Sequence, residues 1–177
     1  MADALQRLRE QLRDGGGLMS TLLAPGGQTP PADPDGPAAL AASGPRAAAA
    51  REEYELLVEA IYEGYLLHYD EPRVVRVSDA DLRVLAGDRL YAIGLARLVA
   101  LGDTAAVGEL ADTITLSALA HGAGAAELAR AIWAAGGRAV GWGASKAHQE
   151  AKKLVLAGAP GAFEAMRTSA LAPAEPC

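Results

Sequence analysis

The chain has 177 residues, of which 51% are hydrophobic, 5% aromatic and 21% charged, and its formal net charge at pH 7 is -6. This length fits one domain, or one domain plus a tail, and the negative charge argues against nucleic acid as a partner, because nucleic acid selects basic surfaces. The single cysteine, Cys177, allows neither an internal disulfide nor a cysteine metal cluster.

The first 45 residues predict an arm and a linker. Residues 3–14 place three leucines on one helical face, and the glycine run that starts at Gly15 ends this helix. Residues 24–45 are rich in proline and glycine, which indicates a flexible segment. We therefore predict a helical arm at 1–23, either a frayed terminus or a docking peptide, and a disordered linker at 24–45. Deletion of both should leave the melting temperature nearly unchanged.

A helical body follows, because Ala, Leu and Arg favour helix and no alternating strand pattern exceeds four residues. We predict an all-α, compact bundle of about five helices at 46–167, and a tail at 168–177. The predicted helices span residues 46–68, 79–101, 104–121, 124–135 and 144–157. The motif AAGGRAVGWG interrupts the fourth helix. Residues 90–101 are apolar almost all round, which predicts a helix in the middle of the bundle.

We predict a cytoplasmic protein that does not span a membrane. The start of the chain is charged throughout and lacks the apolar core of a signal peptide. The longest apolar stretch contains Arg97 and is shorter than the roughly 20 residues that a membrane-spanning helix needs.

Three motifs lie in order in the centre of the chain. A helix ends in LLHYDEP, the helix VLAGDRLYAIGLARL follows a short loop with arginines, and ELADTI comes after the next turn. Over residues 57–120 this text resembles the middle of the polyprenyl synthetase family, the all-α enzymes that condense isopentenyl and allylic diphosphates. In that family a histidine precedes the first aspartate-rich motif and an LAGD helix follows. The resemblance implies a helical scaffold and a homodimer.

The chain departs from the family where the chemistry requires carboxylates. Tyr69 stands where the first aspartate of the motif is expected, Asp70 matches the second, and Arg73 stands where the last is expected. No aspartate follows Asp112, so a second aspartate-rich motif is missing. Magnesium needs several ordered oxygen ligands. We therefore predict no catalytic residue, no metal site and no cofactor.

Five polar residues in the matched region are candidate binding residues: His68, Asp70, Arg73, Arg76 and Asp88. Metal binding by the first two would need a second cluster of ligands. The two arginines either hold an anion such as a diphosphate or are solvated. Asp88 is expected to pair with Arg89 or to be solvated. His121 and His148 are expected at the surface or at helix caps.

The predicted function is a non-catalytic helical protein, similar to an isoprenoid synthase, that serves as a partner subunit or binds an apolar ligand such as a prenyl chain or a quinone. One alternative is the small regulatory subunit of a hetero-oligomeric prenyl diphosphate synthase. Another is a helical assembly factor unrelated to isoprenoids. We expect a homodimer or another protein partner. The expected interface residues are Tyr54, Leu57, Ile61 and Tyr65.

Overall fold

The computed structural model describes residues 3–25 and 29–171, and it is α-helical apart from a 3₁₀ turn at Pro45–Ala50 and an isolated β-bridge between Leu23 and Val75. The described helices are α1 (Ala4–Asp14), α2 (Gly17–Thr21), α3 (Pro37–Ser43), α4 (Arg51–Tyr69), α5 (Ala80–Ala100), α6 (Thr104–Gly122), α7 (Ala126–Trp142), α8 (Lys146–Leu156) and α9 (Ala162–Leu171). The all-α prediction is confirmed. The count of about five helices is wrong, because the described residues form nine.

Two helices organise the fold. The helix α4 packs against α1, α3 and α5, and α7 packs against α3, α6 and α9. The main core lies between these helices and is closed around Trp133, which is 1% exposed. Because α3 contacts both central helices, a segment expected to be a linker joins the two halves of the bundle.

The N-terminal region is not disordered where the structure describes it, so that prediction is wrong. The side chains of Leu5, Leu8 and Leu12 are buried and pack with Leu67 and Leu90 in a second core cluster. The amphipathic face of α1 therefore finds an apolar surface on the body and is not left in solvent. Asp3 caps the helix, since its Oδ1 accepts a hydrogen bond from the Leu5 backbone N–H at 3.0 Å.

A short backbone pairing ties the arm to the loop between α4 and α5. The Ala24 N–H donates to the carbonyl oxygen of Val74 at 2.9 Å, and the Arg76 N–H donates to that of Leu22 at 2.8 Å. These bonds satisfy backbone groups that a buried loop would otherwise leave unpaired. The arm and the loop therefore hold each other in place.

The glycine-rich motif that we predicted to interrupt a helix lies inside α7, so that prediction is wrong. A Cβ added at Gly137 would lie 2.3 Å from the carbonyl oxygen of Pro37, and one added at Gly141 would lie 2.3 Å from that of Ala41. Glycine disfavours a helix interior by up to about 1 kcal/mol. Here it is needed because α3 crosses α7 with the two backbones in contact.

The helix α5 is not buried on all sides, contrary to the sequence prediction. Its buried residues form one stripe against α4 that includes Leu90, Gly94 and Leu98. The opposite side is open, and Leu85 and Val99 are 63% and 60% exposed. The helix α5 lies on the outside of the bundle and has apolar residues on both faces. Because α4 covers only one of these faces, apolar side chains on the other face remain exposed.

Two further predictions concern the C-terminal tail and membrane-spanning helices. The helix α9 reaches Leu171, inside the expected tail, and Cys177 lies outside the described residues. None of the helices in the described part of the chain combines the length and the apolar character that a bilayer crossing requires.

Candidate functional site

The last turn of α4 lies between α5 and α6, where five rings meet. We call this group the tyrosine–histidine cluster; it consists of Tyr65, His68, Tyr69, Tyr91 and His121. The Tyr69 ring stacks on His121 with 4.3 Å between centroids, and His68 stacks on Tyr91 at 5.3 Å. Each stack joins α4 to a different neighbour, so the cluster fixes both α5 and α6 to the end of α4.

A hydrogen bond within the cluster joins Tyr65 on α4 to His121 on α6. Burial, followed by the nearby Tyr62, raises the pKa of Tyr65 to about 12, so its phenol keeps its proton at neutral pH. The hydroxyl lies 2.8 Å from Nε2 of His121 and can donate to that nitrogen. His121 was expected at the surface or at a helix cap. It is half-buried and belongs to the cluster.

The structure brings together two of the five candidate binding residues, His68 and Asp88. Nε2 of His68 lies 3.2 Å from Oδ1 of Asp88, at ion-pair distance but without the alignment of a hydrogen bond. A Cβ added at Gly87 would lie 2.5 Å from the same nitrogen, so glycine is required beside the ring. Asp88 therefore faces α4 and does not pair with Arg89.

Arg73 is held by two buried glutamates, an arrangement that differs from the bound anion or the solvated position expected from the sequence. Its Nη2 donates to Oε2 of Glu59 at 2.6 Å, and its Nε donates to Oε2 of Glu63 at 3.3 Å. Both glutamates are buried, at 2% and 0% exposure. The guanidinium is needed inside the protein, because two buried carboxylates require a cation.

Glu63 also anchors the loop between α4 and α5. Its Oε1 accepts hydrogen bonds from the backbone N–H groups of Arg73, Val74 and Val75 at 2.7, 2.6 and 3.1 Å. Burial raises the pKa of Glu59 above its ordinary value, against the lowering effect of Arg73. The hydrogen bonds to Glu63 hold the loop between α4 and α5 in a fixed position beside the tyrosine–histidine cluster.

The two remaining candidate residues, Asp70 and Arg76, do not join the cluster in a common site. Oδ1 of Asp70 accepts a hydrogen bond from the backbone N–H of Glu71 at 2.9 Å and helps to end α4. The side chain of Arg76 is 65% exposed, and its Nη1 lies 3.9 Å from Oε1 of Glu71. Within residues 3–25 and 29–171, no group of three or more His, Cys, Asp or Glu side chains is placed to hold a metal ion.

The four residues expected at a dimer interface lie inside the core of a single chain. Tyr54, Leu57, Ile61 and Tyr65 are 6%, 0%, 0% and 2% exposed. The hydroxyl of Tyr54 donates to Oδ2 of Asp103 at 2.7 Å, and this aspartate caps α6 through the backbone N–H of Ala106. Helices α3 and α5 cover the face that was expected to be open, so a partner would meet other residues.

The apolar surface that remains open is formed by α5 and α6. We call it the α5–α6 face; it consists of Val84, Tyr91, Leu95, Val99, Val107, Ile114, Ala118 and Leu119. Val84, Val99 and Leu119 are 47%, 60% and 49% exposed. Four other members are partly buried at the edge of the main core. An open cavity of about 760 Å³ lies on the α6 side and is lined by Ile114, Leu119 and Gly122, among others.

A buried polar cluster that sequence reasoning missed joins α6 to α8. Nε2 of His148 lies 2.6 Å from Oε1 of Glu109, and Nζ of Lys152 lies 3.0 Å from Oε2 of Glu109 and 2.8 Å from Oδ2 of Asp112. His148 was expected at the surface or at a cap, but it is 4% exposed. Its Nδ1 lies 3.3 Å from Oγ of Ser169, so the cluster also reaches α9.

Replacement of Glu109 should reveal a stability contribution that depends on pH. Burial acts to raise the pKa of Glu109, but hydrogen bonds and charges from His148 and Lys152 outweigh burial and lower the pKa from its ordinary value of 4.5. Because the folded-state pKa lies below the unfolded one, the stabilisation is complete above pH 4.5 and is lost as the pH falls through the folded-state pKa.

We expect Glu109→Gln to lower the free energy of unfolding at pH 7 by about 3 kcal/mol, since the change removes the buried carboxylate that contacts both His148 and Lys152 and leaves the Lys152 ammonium with Asp112 alone. Urea unfolding at pH 7 and pH 3 measures the difference from the unmodified chain, which should shrink at pH 3. The control Glu127→Gln removes a surface pair with Arg130 and should have little effect. A loss of equal size at both pH values would contradict the assignment.

The site combines stacked rings, an internal ion cluster and an open apolar face, and none of these features names a reaction by itself. No protein-family model, no curated protein and no solved structure matches the chain. The resemblance of residues 57–120 to the polyprenyl synthetase family therefore stays a prediction.

Proposed function

We propose that the chain is a non-catalytic helical subunit, similar to an isoprenoid synthase, which acts in the cytoplasm and binds a protein partner through the α5–α6 face. The observation that carries the proposal is the apolar exposure of two consecutive helices. Contiguous exposed apolar surface on a folded protein is typical of a binding site, because water contact with it is unfavourable. The simplest partner is a second copy of the chain, as the resembling family forms homodimers.

The arrangement of the helices explains why this face is open. A short turn, residues 101–103, joins α5 to α6, yet α5 packs mainly on α4, whereas α6 packs mainly on α7. The two helices contact each other little, so neither covers the apolar row of the other. Helices pack by placing the side chains of one into the grooves of another. A helix of a partner can pack on these uncovered rows.

The departures from the family motif support a role without catalysis. Tyr69 stacks on His121 and Arg73 is held by buried glutamates, so both residues contribute to folding at positions where the family has metal ligands. The same departures fit the alternative of a small regulatory subunit whose partner carries the carboxylates. In that case prenyl transfer appears only after the two chains are mixed.

Charge placed on the α5–α6 face should separate the copies. We expect sedimentation equilibrium at tens of micromolar to show a dimer for the unmodified chain and a monomer for Val99→Asp, because a carboxylate cannot be buried without a partner. The control is Leu156→Asp on α8, where the leucine is 62% exposed, and it should remain dimeric. A monomeric unmodified chain, or a dimer that Val99→Asp leaves intact, would count against self-association through this face.

A second candidate, an apolar ligand, is favoured by the cavity of about 760 Å³ on the α6 side of the face. Its lining includes Gly122, the neighbour of His121, so a prenyl chain or a quinone would lie beside the tyrosine–histidine cluster. Thermal shift and native mass spectrometry with a prenyl diphosphate and menaquinone test this candidate. A ligand that binds the unmodified chain and not Leu119→Asp supports it, and the absence of any bound ligand removes it.

A further inference from the structure

A different cavity, of about 570 Å³, lies between the N-terminal arm and the outer side of α5. Leu12, Leu18 and Met19 line it from the arm, and Leu85 and Ile93 line it from α5. Its size falls within the roughly 300–1,000 Å³ range of small-molecule sites. Leu18 and Leu85 are 57% and 63% exposed, so large apolar side chains stand in contact with water on both walls.

Two polar side chains in the lining offer hydrogen-bond donors. Arg89 lies on the α5 wall, and within the described residues its guanidinium has neither an ion pair nor a hydrogen bond. Gln11 lies on the α1 wall, and its Oε1 accepts a hydrogen bond from Nη1 of Arg97. The Gln11 amide nitrogen is therefore the group left for a ligand. The lining contains no Asp or Glu.

We propose that this cavity binds an anionic amphiphile, a molecule with one apolar chain and a carboxylate or phosphate head. The leucines, Met19 and Ile93 would contact the chain, and Arg89 and Gln11 would donate to the head. Arginine suits such a head because its planar group offers parallel N–H donors to two oxygens. The ligand would contact the arm and α5 together and thereby stabilise the docked arm.

The cavity is separate from the face assigned to a protein partner. Along α5 the cavity residues Leu85, Arg89 and Ile93 repeat every four positions, whereas Leu95 and Val99 belong to the α5–α6 face. Val84 of the α5–α6 face adjoins Leu85 in sequence, but consecutive residues point about 100° apart around a helix of 3.6 residues per turn, so the two rows lie on different sides of α5. The amphiphile site can therefore be tested without disturbing the partner face.

Calorimetric titration and thermal shift with four ten-carbon probes, each kept below micelle formation, test the proposal. Decanoate and decyl phosphate should bind and raise the melting temperature, because a ligand that binds the folded state alone stabilises it. The head that binds more tightly identifies the source as a carboxylic acid or a phosphate ester. Decanol and decyltrimethylammonium should bind about tenfold more weakly or not at all, since they lack the anionic head. Equal binding of all four would overturn the proposal.

Two substitutions locate the site. Leu85→Asp places a carboxylate at an exposed position of the cavity wall and should weaken decanoate binding by about tenfold or more, whereas Leu156→Asp should not. Arg89→Gln should remove the preference for decanoate over decanol, and Arg76→Gln, at an exposed arginine of the loop, should retain it. Circular dichroism confirms that each variant is folded. Binding that both cavity variants leave unchanged would show that the cavity is not the site.

Discussion

Removal of residues 1–45 is expected to abolish the cooperative thermal transition of the remaining chain. The deletion removes three buried leucines of α1 and the helix α3, whose Ala38 and Ala41 are 1% and 0% exposed between the two central helices. Truncation of one buried leucine to alanine typically costs about 2–5 kcal/mol, and a whole domain is stable by only about 5–15 kcal/mol. The sequence had led us to expect almost no effect.

A single substitution in α1 tests the contribution of the arm to stability in the full-length chain. Leu8→Ala should lower the melting temperature by roughly 6–12 °C, which corresponds to about 3 kcal/mol for a protein of this size. Arg13→Ala on the exposed side of α1 is the matched control and should change it by little. Thermal denaturation followed by circular dichroism measures both. If Leu8→Ala, or the chain without residues 1–45, melts at the same temperature as the unmodified chain, the arm is not part of the core.

Alanine at Gly141 should destabilise the protein, although alanine is the better helix former. The added Cβ would lie 2.3 Å from the carbonyl oxygen of Ala41 and 3.0 Å from that of Leu40, and both atoms belong to the backbone of α3. The two helices must separate to admit the methyl group. Overpacking of this kind typically costs about 1–3 kcal/mol, and we expect a loss near the upper end of that range.

The control for this prediction should change stability in the opposite direction. Gly108 lies in the interior of α6, is exposed, and would place a Cβ with no atom within 4 Å. Gly108→Ala should therefore stabilise the chain by about 0.5–1 kcal/mol, because it lowers the conformational entropy of the unfolded state. Urea unfolding of both variants measures whether each substitution raises or lowers the free energy of unfolding. Equal stabilisation by both substitutions would mean that α3 does not contact α7.

The parts of the fold that follow from local chemistry could be predicted. The second and third body helices were expected at 79–101 and 104–121, and they occur at Ala80–Ala100 and Thr104–Gly122. Asp103 caps the third helix as predicted, whereas Asp79 caps the second in place of its neighbour Ser78, which had been expected to open that helix; each aspartate accepts a hydrogen bond from the backbone N–H three residues later. A cap is read from neighbouring residues, so no knowledge of the tertiary structure is required.

Glycine was misread because its role depends on a partner that is distant in sequence. Read locally, the glycines of AAGGRAVGWG favour a break. Gly136 and Gly137 face Thr113 and Pro37, and these contacts exist only after α7 has packed on α6 and α3. The helix persists because close backbone approach supplies contacts that outweigh the weak propensity of glycine.

The polar clusters were missed for a related reason. A lysine beside Lys153 and Glu150 suggests a solvated helix surface, yet Lys152 is 7% exposed and lies on the buried stripe of α8. Its carboxylate partners Glu109 and Asp112 lie about 40 residues earlier. The local signals were spacings: the two carboxylates are three residues apart on α6, and His148 and Lys152 are four apart on α8, so each pair lies on one side of its helix.

The contact between α3 and α7 also affects how the protein is made. Ala41 and Gly141 touch, yet they are 100 positions apart in the chain. At about 5–20 residues per second, the ribosome needs roughly 5–20 s between the two residues. During this time the alanine face of α3 has no α7 to cover it, although α4 can already pack on α1, α3 and α5. The bundle therefore closes only after most of the chain has been synthesised, and a ribosome pause before α7 would hold a half-built core open to solvent.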